Sequence, residues 1–243
     1  MHTTPRLPDP MLAALTAKLI TSPELRWRHH GIGLLQAYLV EGRPGAELAL
    51  GLPDTETRIH VWHPSLRLAG MDDSGLMHDH RFDLESRVLL GAMHDTEIHL
   101  SQIFPTSAAM RAFLVRPSEG EERLLVWKIQ NARAAKESGE GWVKLESEAV
   151  FRADRVSHVY SMGSSYTCKR GQFHRSDVEG LTVTLCTKRN QSSSPARLLA
   201  REGVTPRHAF ADDPNRYHDA SSPECRALIE EAALQLANIA RVS

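Results

Sequence analysis

The sequence predicts a mainly β chain, a sandwich or barrel, with helices at its two ends. Two observations carry that expectation. The middle of the chain is a series of short apolar or alternating runs divided by Gly, Pro, Asp and Ser clusters. Each end instead carries a proline-led start followed by apolar residues at helical spacing. With 41% hydrophobic and 24% charged residues in 243, the chain has enough apolar material for a sizeable packed core.

The elements follow in order. Asp9-Pro10 fits an N-cap and first helical position, and Leu12, Leu15 and Leu19 recur behind it. Ser22-Pro23 repeats the signal, so a second short helix is expected there, stopping near Gly31 and Gly33. Leu34–Glu41 reads as a strand closed by a Gly-Arg-Pro-Gly turn. Thr57–Trp62 alternates, with Ile59 and Val61 on one face and Arg58, His60 and Trp62 on the other. Further strands are expected at Leu76–Phe82, Ser86–Leu90, Thr96–Phe104, Arg111–Val115, Leu124–Gln130 and Gly141–Leu145. Ser157–Tyr160, Phe173–Ser176 and Leu181–Thr187 complete the set. Asn190 to Ser222 is rich in Ser, Pro, Arg and Asp, and reads as an irregular surface arm. Ser222-Pro223-Glu224 then opens a final helix striped by Leu228, Ala232, Leu236 and Ile239. One domain is expected: a helical segment over 1–33, a barrel over 34–189, and the arm with its helix over 190–243.

Charge narrows the partners. Twenty-nine Lys and Arg against 30 Asp and Glu give a formal charge of −1, so no basic field exists to attract nucleic acid or anionic lipid. No apolar run is long enough to cross a bilayer, and the N-terminus does not read as a secretory signal. The three cysteines are too few and scattered for a disulfide framework. A cytoplasmic location, a small-molecule substrate and a homodimer are the expectations.

The chemistry is expected among the 13 histidines. His78 and His80 are two apart, so on a strand both imidazoles point to one face and Asp79 and Arg81 to the other. About a hundred residues on, Arg170-Gly171-Gln172-Phe173-His174 enters the strand that follows. Two ligands from one strand and a third from a distant one would seat a metal inside a barrel. Imidazole suits zinc, iron, copper or nickel alike.

At these residues the sequence resembles the cupin superfamily, whose first motif is G(X)5HXH(X)3–4E(X)6G and whose second is G(X)5PXG(X)2H(X)3N. His78-Asp79-His80 followed by Glu85 matches the centre of the first, and Gly171-Gln172-Phe173-His174 that of the second. The likeness covers roughly residues 57 to 187. Lys169 stands in place of the motif's proline and Val178 in place of its final Asn. Glu85 to Gly91 is one residue short, so counting from Gly91 puts Leu84 inward unless a bulge intervenes.

The resemblance implies a double-stranded β-helix, or jelly-roll, holding a divalent ion on His78, His80 and His174, with Glu85 as a fourth ligand. Fe(II) is the leading cofactor and Zn, Mn and Ni the alternatives. The three-histidine set is like that of the cysteine dioxygenase group. That group's Ser-X-His-X-Tyr element is missing after His174, since Ser157-His158-Val159-Tyr160 comes before it. Three neutral imidazoles leave the ion's charge uncompensated, which favours an anionic substrate.

Other residues carry two readings each. Tyr160 or Tyr166 would supply a proton at the reacting centre, or simply pack. Arg81, Arg58 or Arg87 would clamp a substrate carboxylate, or form surface ion pairs. Of these, Tyr160 and Arg81 are the selected catalytic candidates. His94 is the rival ligand. His60 and Trp62 would line the inner face of a neighbouring strand, or fill core. The leading function is an Fe(II) dioxygenase. The alternatives are a non-redox isomerase, lyase or hydrolase in which Glu85 moves a proton, and a non-catalytic binding module.

Overall fold

The computed structural model describes residues 10–30, 32–39, 56–67, 76–104, 122–130, 142–206 and 218–242. Helix α1 spans Pro10–Ile20 and α2 spans Pro223–Val242. Between them run β1 (Trp27–His30), β2 (Ile32–Leu39), β3 (Glu56–Arg67), β4 (Asp83–Leu90), β5 (Ala92–Phe104), β6 (Leu124–Ile129) and β7 (Val143–Leu145). They continue with β8 (Val150–Ser161), β9 (Ser165–Cys168), β10 (Phe173–Asp177), β11 (Thr182–Arg189), β12 (Arg197–Arg201) and β13 (His218–Asp219).

All the strand pairs are antiparallel and fall into two sheets. One has the order β13-β1-β2-β3-β11-β4-β9, and the other β10-β5-β8-β6-β12, with β7 on β6. The chain passes repeatedly between them, from β4 to β5, β8 to β9, β9 to β10 and β10 to β11. That alternation is the connectivity of the double-stranded β-helix, so the expected jelly-roll is the observed fold.

Residues 76–82 form less than a strand. His78 makes isolated bridges to His174 and Leu198, so this short segment sits between β10 and β12. His78 and His174 exchange backbone bonds of 3.0 and 2.9 Å, and Asp79 N donates to Arg197 O at 3.0 Å. The paired histidine stretch is thereby fixed on both sides without a long strand of its own.

Two glycines make the surrounding turns possible. Gly91, at φ +74°, turns β4 into β5, and a Cβ there would lie 2.5 Å from the Leu181 carbonyl oxygen. Gly171, at φ +77°, ends the loop before His174 and donates its N–H to His80 O at 3.0 Å. Both are glycines of the expected motifs.

Alternation within the seven-stranded sheet divides two environments. Leu35, Ile59, Val61, Leu89 and Val183 face outward and pack with Ala13, Ala17 and Ile20 of α1 and with Ile229, Ala232 and Leu236 of α2. Leu34, Arg58, His60, Trp62 and Leu84 face inward and line a cavity. The expected split of Thr57–Trp62 into two faces is what the strand shows.

Three readings need correction. The second proline start gives a turn and then β1 rather than a helix. Tertiary contacts override the local signal: β1 pairs with β2 and β13, and Trp27 Nε1 donates to Ile20 O at 3.3 Å. The arm read as irregular from Asn190 contains β12, whose Leu198, Leu199 and Ala200 are buried and paired to β6. Ser165–Cys168, unread as a strand, pairs with β4 as β9. The expected strand at Arg111–Val115, the end of Leu34–Glu41 and the turn after it lie outside the described residues.

Candidate metal centre

His78, His80 and His174 come together inside the jelly-roll. One nitrogen from each lies within 4.8 Å of the other two. The ring centroids are 4.8, 4.8 and 4.9 Å apart. His78 and His80 flank Asp79, so the two-residue strand period turns both toward the cavity. His174 reaches them from β10, which is bridged to the same segment.

The partners of these rings decide which nitrogens are available. His78 Nδ1 lies 2.9 Å from Leu76 O, a carbonyl that can only accept, so Nδ1 carries the proton and Nε2 carries the ring's lone pair. His174 Nδ1 lies 2.8 Å from Asp95 Oδ1, which leaves its Nε2 facing His80 Nε2 at 3.0 Å. Ser176 Oγ donates to the same Asp95 oxygen at 2.8 Å. A buried carboxylate behind a histidine is the arrangement that orients a metal-ligating ring.

The donor set fits one divalent ion. Two nitrogens bound at 2.0–2.1 Å lie ~3.0 Å apart at a right angle and ~3.4 Å apart at the tetrahedral angle. The His80–His174 nitrogen separation is the right-angle value. The widest separation, up to 4.8 Å, closes by rotation of an imidazole about its side-chain torsions.

Electrostatics set the protonation of two of these rings. Burial, with the neighbouring imidazoles next, pushes His80 well below the usual histidine pKa, so its ring is neutral. Burial also opposes charge on His174, but the Asp95 carboxylate and the Cys168 sulfur outweigh it and raise the group to about 10. An ion bound here would have to displace the proton this leaves on His174 Nε2, which faces His80 Nε2 at 3.0 Å, so metal uptake would release a proton.

The cavity has a volume of about 260 Å³. Its lining includes the three histidines, Trp62, Phe82, Leu84, Tyr166 and Leu198, with His60 and Lys188 on the opposite wall. A larger groove of about 520 Å³ lies on the other side of the six-stranded sheet. Its Arg155 and Arg175 are engaged by Glu122 and Asp177, and none of its described lining residues is a histidine.

The other sequence candidates fall elsewhere. Glu85 does not join the trio: it lies on the outer face of β4, half-exposed and 3.1 Å from Arg189. Leu84 takes the inward position; β4 does carry a bulge, at Leu89 opposite the Val183–Thr184 step of β11, but it does not bring Glu85 to the inner face. Arg81 is exposed in a rim groove with Lys128 and Arg170. Tyr160 stacks on Tyr166 at 4.6 Å, and Tyr166 is the one that lines the cavity. His94 faces outward, 3.7 Å from Glu179. Arg58 does line the cavity, but it is held by Glu56 and Gln36.

Sequence reasoning missed Asp95, Lys188 and the clamp on Asp79. Strand parity held a signal for Asp95, since it must face opposite to its neighbour His94. Arg197 binds Asp79 with its backbone N–H at 2.6 Å and its Nε at 2.7 Å, which locks the histidine segment to β12. No local pattern announces that pairing across 118 residues.

No family model matches the chain, and no curated protein matches it. Similar solved structures include hydroxypropylphosphonic acid epoxidase from S. wedmorenis, at 9% identity and TM-score 0.33, covering 68% of this chain and 55% of that one. An RmlC-like cupin from Shewanella frigidimarina is 14% identical at TM-score 0.30, over 75% and 90% of the two chains. Drosophila melanogaster CENP-C bound to CAL1 is 10% identical at TM-score 0.33, over 73% and 93%. The chain spans little more than half the length of the epoxidase. These names differ in kind and do not select a function. The fold stands on the strand order and the site on its own geometry.

Proposed function

We propose that this protein is a metal-dependent enzyme, an Fe(II) dioxygenase acting on a small anionic molecule. The observation that supports this most is the three-histidine group facing a largely apolar cavity, with Asp95 behind His174. His78, His80 and His174 would hold the ion. Ferrous iron on three protein ligands supplies a redox-active Lewis acid with positions left open for substrate and dioxygen.

The chain's own residues supply the rest. The three imidazoles carry no negative charge, so the site favours an anion on its open side. Trp62, Phe82, Leu84 and Leu198 exclude water from it. Asp95 holds the His174 proton at Nδ1 and fixes the ring. Tyr166 lines the same space, and burial keeps its phenol protonated, with Ser86 hydrogen-bonded to it. The non-redox alternative loses Glu85 as its base to the outer face.

Oxygen-electrode measurements on iron-loaded protein test this reading with a panel of small thiols and carboxylates. The expected result is uptake that requires ferrous iron and disappears in His78→Ala. Substrate turnover that persists under strict anaerobiosis, or in His78→Ala, would contradict it.

A further inference from the structure

The wall facing the histidines carries polar groups that the metal site does not use. Lys188, on β11, points into the cavity, with Nζ 3.9 Å from the centroid of the Phe82 ring. Among the described residues its ion-pair partner is Glu56, 3.3 Å away. Glu56 is shared, because Arg58 Nε donates to the same oxygen at 2.5 Å. Two cations therefore divide one carboxylate, which is itself 43% exposed. Among the described residues lining the cavity, the only carboxylate is Asp79, and Arg197 already binds it. One positive charge at this end of a mostly apolar cavity is left without its own counter-ion, a costly arrangement unless a ligand supplies one.

His60 adds a second unmet group. It is 8% exposed, lines the same cavity, and its Nε2 is buried without a hydrogen-bond partner. Its Nδ1 lies 3.4 Å from Cys186 Sγ. Burial pushes the Cys186 thiol up, so the sulfur keeps its hydrogen and can donate it to Nδ1. In the tautomer where the thiol donates to Nδ1, the imidazole proton sits on Nε2, a buried donor on a residue that lines the cavity. An orphaned donor in a native interior calls for a partner.

We infer that Lys188 and His60 form a recognition pole for a carboxylate of the substrate, on the wall opposite the three histidines. The inference rests on the metal reading above and narrows its substrate to a small acid with two polar ends. One end is the anionic group that meets the ion, and the other is a carboxylate that accepts from Lys188 Nζ and His60 Nε2. Between them lies an apolar or aromatic body packed by Trp62, Phe82 and Leu84. A cavity of about 260 Å³ offers the space of roughly nine water molecules, which suits a single-ring or short-chain acid. Burial, followed by the charge of Arg58, lowers Lys188 to about 7. A bound carboxylate would restore the amine's charge.

Calorimetric titration of the zinc-loaded full chain tests this without turnover. The probes are para-hydroxybenzoate against para-hydroxybenzamide, and succinate against succinamate. Replacing the carboxylate by an amide removes the charge while nearly keeping the size. At least one acid is expected to bind about ten- to a hundredfold more tightly than its amide. Lys188→Met is expected to erase that preference, and His60→Phe to weaken acid binding severalfold. Equal affinities for acid and amide in the wild type, or no binding of either acid, would overturn the inference. A preference that survives Lys188→Met would overturn it too. The wild-type comparison stands even if a variant does not fold. Zinc content of the same samples separates the two ideas: full zinc with no acid preference sinks only the recognition pole, whereas no zinc uptake sinks the metal reading.

Discussion

Successive residues of β3 serve opposite purposes. Ile59 and Val61 face the helices and are fully buried among apolar neighbours. Arg58, His60 and Trp62 face the cavity among histidines, a lysine and a free thiol. The outer face is built as a core, from apolar groups in close contact, with Thr57 as its exception on β3, a buried hydroxyl without a hydrogen-bond partner. The inner face keeps a buried His60 nitrogen without a partner and a cation with half a counter-ion. One strand thus shows stability built on one side and binding capacity kept on the other, at a distance of a single residue.

The largest expected effect breaks the outer face alone. Leu236 is fully buried between the helices and the sheet. Leu236→Ala should cost about 2–5 kcal/mol in chemical denaturation, with metal stoichiometry of the folded fraction unchanged. Loss of metal binding at full foldedness would show that the two faces are not separable.

The next breaks the inner face alone. Asp95→Asn keeps the shape beside His174 but removes the charge that holds its ring proton. Metal affinity, measured by competition with a chelator, should fall about ten- to a hundredfold. An unchanged affinity would mean that Asp95 does not orient the ligand.

A subtler effect sharpens the comparison through pH. Lys188 titrates at about 7 in the folded chain, against an ordinary value of 10.5. Between those values the unfolded chain binds a proton that the folded chain does not, so this group makes stability rise with pH. The melting temperature of the wild type, relative to Lys188→Met, should therefore climb from pH 7 toward pH 10. A flat difference would show that Lys188 is not buried as described.

The smallest effect is expected at Glu85. Its carboxylate is 53% exposed and meets only Arg189 among the described contacts. Glu85→Gln should change stability by less than about 1 kcal/mol and leave metal content intact. A large loss of metal would restore it as a ligand.

The sequence made the strands legible where alternation was local. Thr57–Trp62 divided correctly between core and cavity because a two-residue period needs no knowledge of the partner strand. The spacing of His78 and His80 was legible for the same reason. The pairing of His174 with them was not contained in periodicity. It came from the resemblance of two short motifs. Glu85 shows where a motif misleads: strand parity sets it on the face opposite to Leu84, outside the cavity. Asp95, Lys188 and the Arg197–Asp79 clamp depend on strand register between distant segments, which no window of the chain displays. The strand at Arg197–Arg201 was hidden by polar neighbours, and β1 by a helix-start signal that tertiary pairing overrode.

The most direct measurement is metal content by elemental mass spectrometry on protein without a polyhistidine tag. Wild type, His78→Ala and His174→Ala would be purified and reconstituted with ferrous iron side by side. One ion per chain in the wild type, lost in both variants while their circular dichroism stays native, is the predicted result. Folded wild-type protein that takes up no metal, or variants that retain it, would contradict the three-histidine centre.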